Sequence, residues 1–434
     1  MSPENIGLIG IVVMLVMLAL KMPIGIAMLL VGIVGFGMLN GWPAALSALG
    51  SYPYSYAAVY DLAVIPLFVL MGNLASASGM GRDLFATAYA WVGHWRGGLA
   101  SATIVSCAGF AAVSGSSVAS AVTMGKVCLP EMKRYRYEDA LATATVAAGG
   151  TLGILIPPST AFVIYAILTE QSIGKLLLAG FLPGLLLTGL FVVTIMIWTR
   201  IRPQDGPPGP RATAAEKIAV LGRSGPMLIT VGISIGGIYA GIFTPGEAAA
   251  VGAFLAFLIT IWRGALTSAT LSEVLLDTVK TTSMVFLILI GALVFGPFLA
   301  LSGLPMKIAE ALGGLELPRT AILAIIVFIY MILGMFLEGF AMMVLTLPIV
   351  IPVIKSLGYD LIWFGVVMVI VLEMGLLSPP VGINCFVVKG LVPDVPMGRI
   401  FMGIVPFWIT MILSVILLTI FPEIALFVPN SMIK

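Results

Sequence analysis

The sequence predicts an all-α polytopic membrane protein with inverted repeats, each containing one re-entrant helical hairpin and one broken helix. Composition is the first observation behind this prediction. Of 434 residues, 60% are hydrophobic and 9% are charged, which gives more and longer apolar segments than a soluble core can hold. The second observation is a set of residues that recurs at a spacing of 222. The third is the uneven distribution of Lys and Arg among the connections.

Composition also argues against several other kinds of protein. A net charge of +2 is too small to predict a nucleic-acid partner, and the cations flank apolar segments instead of forming a basic face. The three cysteines lie in apolar runs and are odd in number, which favours buried free thiols. With one histidine and no nucleophile beside a base, the sequence does not predict an enzyme. No segment shows the polar stripe that a channel pore needs.

Fourteen segments are apolar enough to span or half-span a membrane. The first follows Glu4 without a cationic stretch before it, so we interpret it as a retained helix and not a cleaved signal. The segments are 6–20, 23–40, 57–79, 98–113, 116–131, 138–169, 174–200, 226–242, 246–262, 282–302, 319–336, 339–357, 361–390 and 398–422. A surface helix at 82–95, with His94 and its neighbouring tryptophans as an interfacial anchor, is predicted between them.

The domain organisation follows from one polar connection, residues 200–217, which is rich in Pro, Gly and charge and is typical of a flexible linker. We expect scaffold helices at 1–60 and a first repeat at 61–200, with hairpin 98–131 and broken helix 138–169. The linker and further scaffold helices occupy 201–281. The second, inverted repeat is predicted at 282–422, with hairpin 319–357 and broken helix 361–390.

The two repeats share a single register over their central part. The coinciding pairs are Pro130 with Pro352, Tyr137 with Tyr359, Gly153 with Gly375, and Pro157-Pro158 with Pro379-Pro380. Internal similarity of this kind is typical of secondary transporters and related membrane folds.

Orientation is predicted from the cations. If both termini are periplasmic and each hairpin enters and leaves on one side, 16 of the 21 Lys and Arg lie on the inner face, as the positive-inside rule requires. The five left outside are Lys175, Lys307, Arg319, Lys355 and Lys434. The outer connections near 303–357, which include Glu316, are poor in charge and suit transient docking of a soluble protein.

The hairpins are inferred from length and from their tips. Residues 117–129 would span about 20 Å as a helix, against about 30 Å of hydrocarbon, so the first hairpin is predicted to re-enter. Its tip is "AVSGSSVAS", in which Gly115 permits a tight turn between hydroxyls. The second tip is "FLEGFAM", with Glu338 and Gly339.

The proline pairs explain what the breaks are for. Proline removes backbone donors and leaves carbonyls free, and at membrane depth such carbonyls must face protein, water or an ion. Oxygen donors of this kind favour a monovalent cation such as sodium over a transition metal. Half-helix N-termini at the same depth suit a carboxylate on a solute, and Asn384, one turn beyond Pro380, could contact it.

Several alternatives stay open at this stage. Either proline pair alone could be a simple kink. Glu338 is either functional or a solvated tip charge, and Glu338 or Glu373 could carry a proton if protons replace sodium. Asp61 and Asn73 could contact the scaffold or satisfy local backbone.

Five motifs resemble the large membrane subunit of tripartite ATP-independent periplasmic (TRAP) transporters. They are "PLFVLMGNLASASGM", "SGSSVASAVTMGKVCLPEM", "GTLGILIPPS", "TEQSIGKLLLAGFLPG" and "SPPVGIN". The resemblance runs nearly end to end. It implies an elevator-type ion transporter fold in the bacterial inner membrane, coupled to sodium, that moves carboxylates such as C4-dicarboxylates or sialic acids.

The resemblance also implies site residues. A first sodium site would use Ser114, Gly115, Ser116, Ser117, Gly153, Ile156 and Pro158. A second would use Gly334, Gly375, Ser378 and Val381, with Ser378 standing where relatives carry threonine. The residues expected to contact the solute are Ser116, Ser159, Asn384 and Glu338.

Three kinds of partner are expected: a small four-helix membrane subunit on a separate chain, a periplasmic binding protein that delivers the solute, and membrane lipid. Segments 6–40 and 226–262 have Gly- and Ala-rich faces that we expect to pack against the small subunit. A carboxylate carrier of the wider inverted-repeat class, coupled to sodium or protons and independent of a binding protein, is the alternative.

Overall fold

The computed structural model describes residues 2–313 and 317–432, and no β-strand occurs among them. Glu316 and Lys434, which the sequence analysis placed on the outer side of the membrane, are not among the described residues. Seven helices are long and apolar enough to cross a membrane, and the pair α8 and α9, bent by 42° at its break, adds an eighth. The prediction of an all-α polytopic membrane protein is confirmed. The helices are α1 (Pro3–Ala19), α2 (Ile24–Asn40), α3 (Trp42–Ala57), α4 (Val64–Ala77), α5 (Met80–Val92), α6 (Gly98–Ser114), α7 (Ser117–Arg134), α8 (Asp139–Leu155), α9 (Thr160–Thr169), α10 (Ile173–Ala179), α11 (Phe181–Ile201), α12 (Ala214–Tyr239), α13 (Pro245–Trp262), α14 (Ser268–Ser302), α15 (Leu304–Gly313), α16 (Arg319–Gly334), α17 (Gly339–Ser356), α18 (Leu361–Leu377), α19 (Ile383–Leu391), α20 (Met397–Ile420) and α21 (Glu423–Asn430).

The helices form two packed groups. In the first, which we call the scaffold body, α2 packs along α14, and α4 packs against α13 and α14, with α1, α3 and α12 around them. In the second, the hairpin body, α8 contacts α6, α7 and α20, and α18 contacts α16, α17 and α20. Helices α9 to α11, α19 and α21 complete the hairpin body, while α5 and α15 connect the two groups. The broken helices are therefore central in the hairpin body.

The repeats are visible in the helix bounds and in the caps. Shifting α7 and α8 by 222 residues reproduces the bounds of α17 and α18. The Glu138 carboxylate accepts hydrogen bonds from the N–H groups of the second and third residues of α8, and Asp360 does the same for α18. Ser116 accepts from the third residue of α7, and Glu338 accepts from the third residue of α17. The two repeats predicted from the sequence therefore have matching helix bounds and matching helix caps.

The length argument for the first hairpin is wrong. Helix α7 has 18 residues rather than 13, because Pro130 is accommodated inside it and Glu131 to Arg134 continue the helix. At about 1.5 Å per residue it reaches about 27 Å, close to the hydrocarbon thickness. Its polar composition nevertheless keeps it out of the seven candidate spans, whereas α17 qualifies as one. The re-entrant path of both hairpins stays a prediction.

The expected docking faces of the small subunit are wrong for α2 and α13, because this chain uses them itself, whereas Gly232 and Gly236 of α12 have nothing within 4 Å of an added Cβ. A Cβ on Gly35 of α2 would collide with Phe298 of α14, and a Cβ on Gly252 of α13 would meet Met71 of α4. Ala248, Ala249 and Ala256 of α13 are fully buried as well. What these helices leave exposed is larger, such as Leu30 and Val34 on α2 and Phe254 on α13.

The connection at 200–217 is not a free linker along its whole length. Gly97 N–H donates to Gly206 O and Gly209 N–H donates to Gly93 O, both at 2.9 Å. The Tyr137 hydroxyl donates to Pro207 O at 3.0 Å and accepts from Leu99 N–H at 3.1 Å. Burial raises the pKa of Tyr137 to about 12, so the phenol keeps its proton. These bonds hold residues 205–209 against the α5–α6 connection, and we call the arrangement the clasp.

Helix α5 is also fastened to the scaffold body. Arg263 at the end of α13 forms an ion pair of 2.6 Å with Asp83, and both side chains are about one-fifth exposed (19% and 24%). One turn further along α5, Thr87 and Ser224 of α12 share a hydrogen bond of 2.6 Å. Asn73 of α4 contacts the scaffold too, because its amide donates to Thr278 of α14 at 3.0 Å. Helix α5 is therefore bonded to the scaffold body while it also packs on α6 of the hairpin body.

Close packing of α2 on α14 generates the first testable prediction. A Cβ on Gly291 of α14 would collide with Gly25 O, whereas nothing lies within 4 Å of a Cβ on Gly296 of the same helix. Gly291→Ala should separate the two helices and destabilise the protein by about 1–3 kcal/mol. Thermal unfolding in detergent should show a lower midpoint for Gly291→Ala and not for the control Gly296→Ala. Equal midpoints for the two variants would contradict the described helix contact.

Candidate functional site

A cavity of about 720 Å³ lies between the two bodies at the hairpin tips. The hairpin body contributes both tips, residues 114–119 and 336–341, together with Glu373 of α18. The scaffold body contributes the start of α2 and the middle of α14. The N-terminal turns of α7, α9, α17 and α19 all line it. The cavity is therefore bordered by helix ends, where unpaired N–H groups and carbonyls are concentrated.

The first hairpin tip meets the first broken helix. Helix α6 ends at Ser114 and α7 begins at Ser117, with Gly115 between them in the left-handed region (φ 63°). The Thr160 hydroxyl at the start of α9 donates to Gly115 O at 3.1 Å. A Cβ on Gly115 would lie 3.0 Å from Pro158 O, so the tip backbone touches the break directly. Four helix ends converge within this small volume.

Most of the predicted first sodium site is brought together here. A Cβ on Gly153 would collide with Ser116 O and with the Ser120 hydroxyl, and the Ser114 hydroxyl donates to Ser116 O at 3.2 Å. The carbonyls of Gly115, Ser116 and Pro158 thus lie near one another. Ile156 ends α8, and its side chain packs against Gly184 of α11. The arrangement offers neutral oxygen donors, which suit a hard monovalent cation.

The second hairpin tip meets the second broken helix through two glycines. A Cβ on Gly334 would lie 3.0 Å from the Cα of Gly375, which shows that the backbones touch. Ser378 is buried and its hydroxyl donates to Met374 O at 2.7 Å. Val381 is 41% exposed and lies on the open side of the five-residue break. Gly334, Gly375 and Ser378 are therefore brought together, and Val381 stands at the edge.

The two breaks differ in exposure. Residues 151–160 are all buried, whereas Pro379, Pro380 and Val381 are exposed. The proline pair of the first repeat is therefore buried, whereas the proline pair of the second repeat is exposed.

The residues predicted to contact the solute fall into two groups. Ser116, Ser159 and Glu338 each cap a helix, since their side chains accept from Ala119, Phe162 and Ala341 N–H respectively. Ser116 and Glu338 also line the cavity. Asn384 is fully buried, does not line the cavity, and has no hydrogen-bond partner among the described residues. Its prediction as a solute contact has no support from this geometry.

Sequence reasoning missed one polar residue at the site, Thr160, which holds the first tip. Ser120 belongs to the predicted tip, and it faces Gly153 with a buried, unpartnered hydroxyl. Glu373 was considered as a proton carrier, and it lines the same cavity as Ser117 of the first tip. The Thr160 hydroxyl was a visible signal at a helix start, whereas the cavity shared by Glu373 and Ser117 joins residues of different repeats.

Comparison with known proteins identifies the family of this chain. The sequence profile of the tripartite ATP-independent periplasmic transporter DctM component matches residues 11–424. The chain belongs to the DctM family. It is 38% identical over 372 residues to the C4-dicarboxylate TRAP transporter large permease protein DctM of Pseudomonas aeruginosa, covering 86% of each chain. It is 32% identical over 413 residues to the sialic acid TRAP transporter large permease protein SiaM of Vibrio cholerae, covering 94% of this chain and 95% of the relative.

The fold is shared more widely. A crystal structure of the Alcanivorax borkumensis YdaH transporter aligns with a TM-score of 0.57 at 16% identity, covering 88% of this chain and 89% of that one. At this identity the likeness concerns the fold alone. As a DctM family member the chain is a multi-pass membrane transporter and not an enzyme, and it functions in a system with small membrane and periplasmic components.

The bond between Thr160 and Gly115 gives the prediction for this site. Thr160→Val keeps the shape of the side chain but removes the hydrogen bond, which contributes about 1 kcal/mol. Amide hydrogen exchange of peptides covering 112–118 should become about fivefold faster, since 1.4 kcal/mol corresponds to a factor of ten. Thr188→Val is the control, because the Thr188 hydroxyl bonds only within α11, to Gly184 O. Unchanged exchange at the tip would show that Thr160 does not hold it.

Proposed function

We propose that this DctM family member takes up an organic acid by sodium-coupled secondary transport, with the hairpin body moving against the scaffold body as an elevator. The observation that carries the proposal is the meeting of each hairpin tip with a broken helix on the wall of one cavity. Helix ends at membrane depth supply carbonyls for cations and N–H groups for an anion. One site can therefore bind both the coupling ion and the solute.

Sodium at both breaks is supported by the donor types. The first site is proposed to use Ser114 to Ser117 with Gly153, Ile156 and Pro158, and the second to use Gly334, Gly375, Ser378 and Val381. Carbonyl and hydroxyl oxygens predominate in both sets, and such donors bind hard cations. The sodium ions would bring positive charge next to the solute carboxylate.

A carboxylate solute is supported by the four helix N-termini that line the cavity. Their combined dipoles favour an anion, and no lysine, arginine or histidine is needed for that. The relatives named for C4-dicarboxylates and sialic acid carry anions of this class. Ser116 and Glu338, which line the cavity, are the proposed contacts, with Ser159 and Asn384 as further candidates.

The proposed setting is the bacterial inner membrane with both termini periplasmic, which keeps most Lys and Arg inside. A separate four-helix membrane subunit would stabilise the scaffold body, and a periplasmic binding protein would deliver the solute. The large exposed side chains of α2 and α13, such as Leu30 and Phe254, are available for that subunit or for lipid. The alternative remains a carboxylate carrier that works alone.

Sodium coupling is tested at the second break. Ser378→Ala removes one oxygen from a small coordination shell, and loss of a bond to a charged group costs about 1.5–3 kcal/mol. The sodium concentration for half-maximal uptake should rise at least about tenfold, and Ser117→Ala should act in the same direction. Ser356→Ala is the control, since its hydroxyl makes the same local type of bond, to Val353 O, at the far end of α17. Uptake that follows a proton gradient and ignores sodium would contradict the proposal.

The tripartite requirement is tested by reconstitution. In liposomes with a sodium gradient, the purified chain with free succinate or sialic acid should show little uptake. Adding the small membrane subunit and the solute-loaded binding protein together should restore it, because the chain needs both a rigid wall and a solute donor. Robust uptake by the chain alone would favour the stand-alone carrier.

A further inference from the structure

Glu373 is the buried carboxylate at the cavity. It lies on α18, is 2% exposed, and contributes to the cavity wall. Ser117 at the first hairpin tip lines the same cavity. One carboxylate oxygen of Glu373, Oε2, has no hydrogen-bond partner among the described residues. A buried carboxyl group with a free oxygen has to be neutralised, by a proton or by a bound cation, since burying an unpaired charge is strongly unfavourable.

The protein itself supplies no such partner at this cavity. No lysine, arginine or histidine is found among the described residues that line it. The other charged residue in the wall is Glu338, which has the same sign. The Glu373 carboxylate and the neighbouring backbone carbonyls therefore make this part of the cavity a region of negative potential, which attracts cations.

We infer that Glu373 is a sodium ligand of the first site, and that it supplies the negative charge which the neutral oxygens of the hairpin tip lack. The inference rests on the proposed sodium coupling and adds a residue from the second repeat to a site otherwise built from the first. Ser117 and Glu373 line the same cavity, and a cation between them would contact both. Glu373 also stands two residues before Gly375, so one turn of α18 reaches both sodium sites.

Glu338 provides the matched control. It lines the same cavity and has the same side chain, but it is exposed, and its Oε2 accepts from Ala341 N–H at 3.1 Å as the cap of α17. Its charge is therefore already balanced by a helix N-terminus and by solvent. If proximity of any carboxylate to the cavity were sufficient, Glu338 would affect sodium binding as strongly as Glu373.

The test is the sodium dependence of thermal unfolding, measured on the full chain in detergent with potassium chloride keeping ionic strength constant. Sodium that binds only the folded protein raises the unfolding midpoint with a saturable dependence. For Glu373→Gln the half-saturating sodium concentration should rise at least about tenfold, and for Glu338→Gln it should stay within about twofold. In sodium-free buffer Glu373→Gln should unfold no lower than the wild type, because it removes an uncompensated charge. If Glu373 had a purely structural role, Glu373→Gln would instead lower the midpoint in both buffers.

Double variants locate the effect. Glu373→Gln and Ser117→Ala should be non-additive in their effect on half-saturation, since both act on one ion, whereas Glu373→Gln and Ser378→Ala should add. Glu373→Asp, which keeps the charge but withdraws it by one methylene, should fall between wild type and Glu373→Gln. If Glu373→Gln does not fold, the half-saturating sodium concentration of Glu373→Asp tests the inference in its place.

The outcomes separate this inference from the proposed function. Wild-type half-saturation retained in Glu373→Gln, or in Glu373→Asp where that is the variant measured, would overturn the role of Glu373 and leave sodium coupling intact. A wild-type protein whose unfolding does not respond to sodium would overturn sodium coupling itself.

Discussion

Backbone polar groups inside a membrane have to be satisfied within the protein, and this constraint governs the whole structure. The chain breaks two helices, one where it is fully buried and one where the break is exposed, and their ends meet the hairpin tips. Some helix ends are satisfied from nearby: Thr160 bonds Gly115 O, Ser159 caps α9, and Glu338 caps α17. The helix ends around the cavity concentrate the carbonyls and N–H groups that a helix cannot pair internally. The same requirement that makes the breaks unfavourable also makes them suited to binding ions and a charged solute.

The repeats show how one local design can serve two roles. Glu138 and Asp360 cap equivalent helices in the same way, which preserves the frame on which each break is built. At the tips the chemistry diverges, because Ser116 of the first repeat corresponds to Glu338 of the second. Exposure diverges too, with the first break buried and the second open. Equivalent backbones therefore carry a serine cap beside a buried break in the first repeat and a glutamate cap beside an exposed break in the second.

The sequence predicted those features that depend on nearby residues. Proline pairs, tip glycines and the spacing of 222 are local signals, and the breaks, tips and repeat register were found from them. The length of α7 was missed because only residues 117–129 were counted, whereas the helix continues through Pro130 to Arg134. The glycine and alanine faces were recognised, but a sequence does not say whether such a face packs against its own chain or another. Glu373 and Ser117 border one cavity from different repeats, and no spacing rule reports this.

The clasp holds two distant segments of the chain together. The chain passes between the two bodies at 93–98 and again at 202–213, and the hydrogen bonds of Gly97 with Gly206 and of Gly93 with Gly209 hold these two passages side by side. The clasp is tied to both bodies: α5 is ion-paired to α13 through Asp83 and Arg263, while Asp205 O accepts from Glu138 N–H of the hairpin body. Residues 98–201 therefore form a closed loop whose two ends are held together by hydrogen bonds.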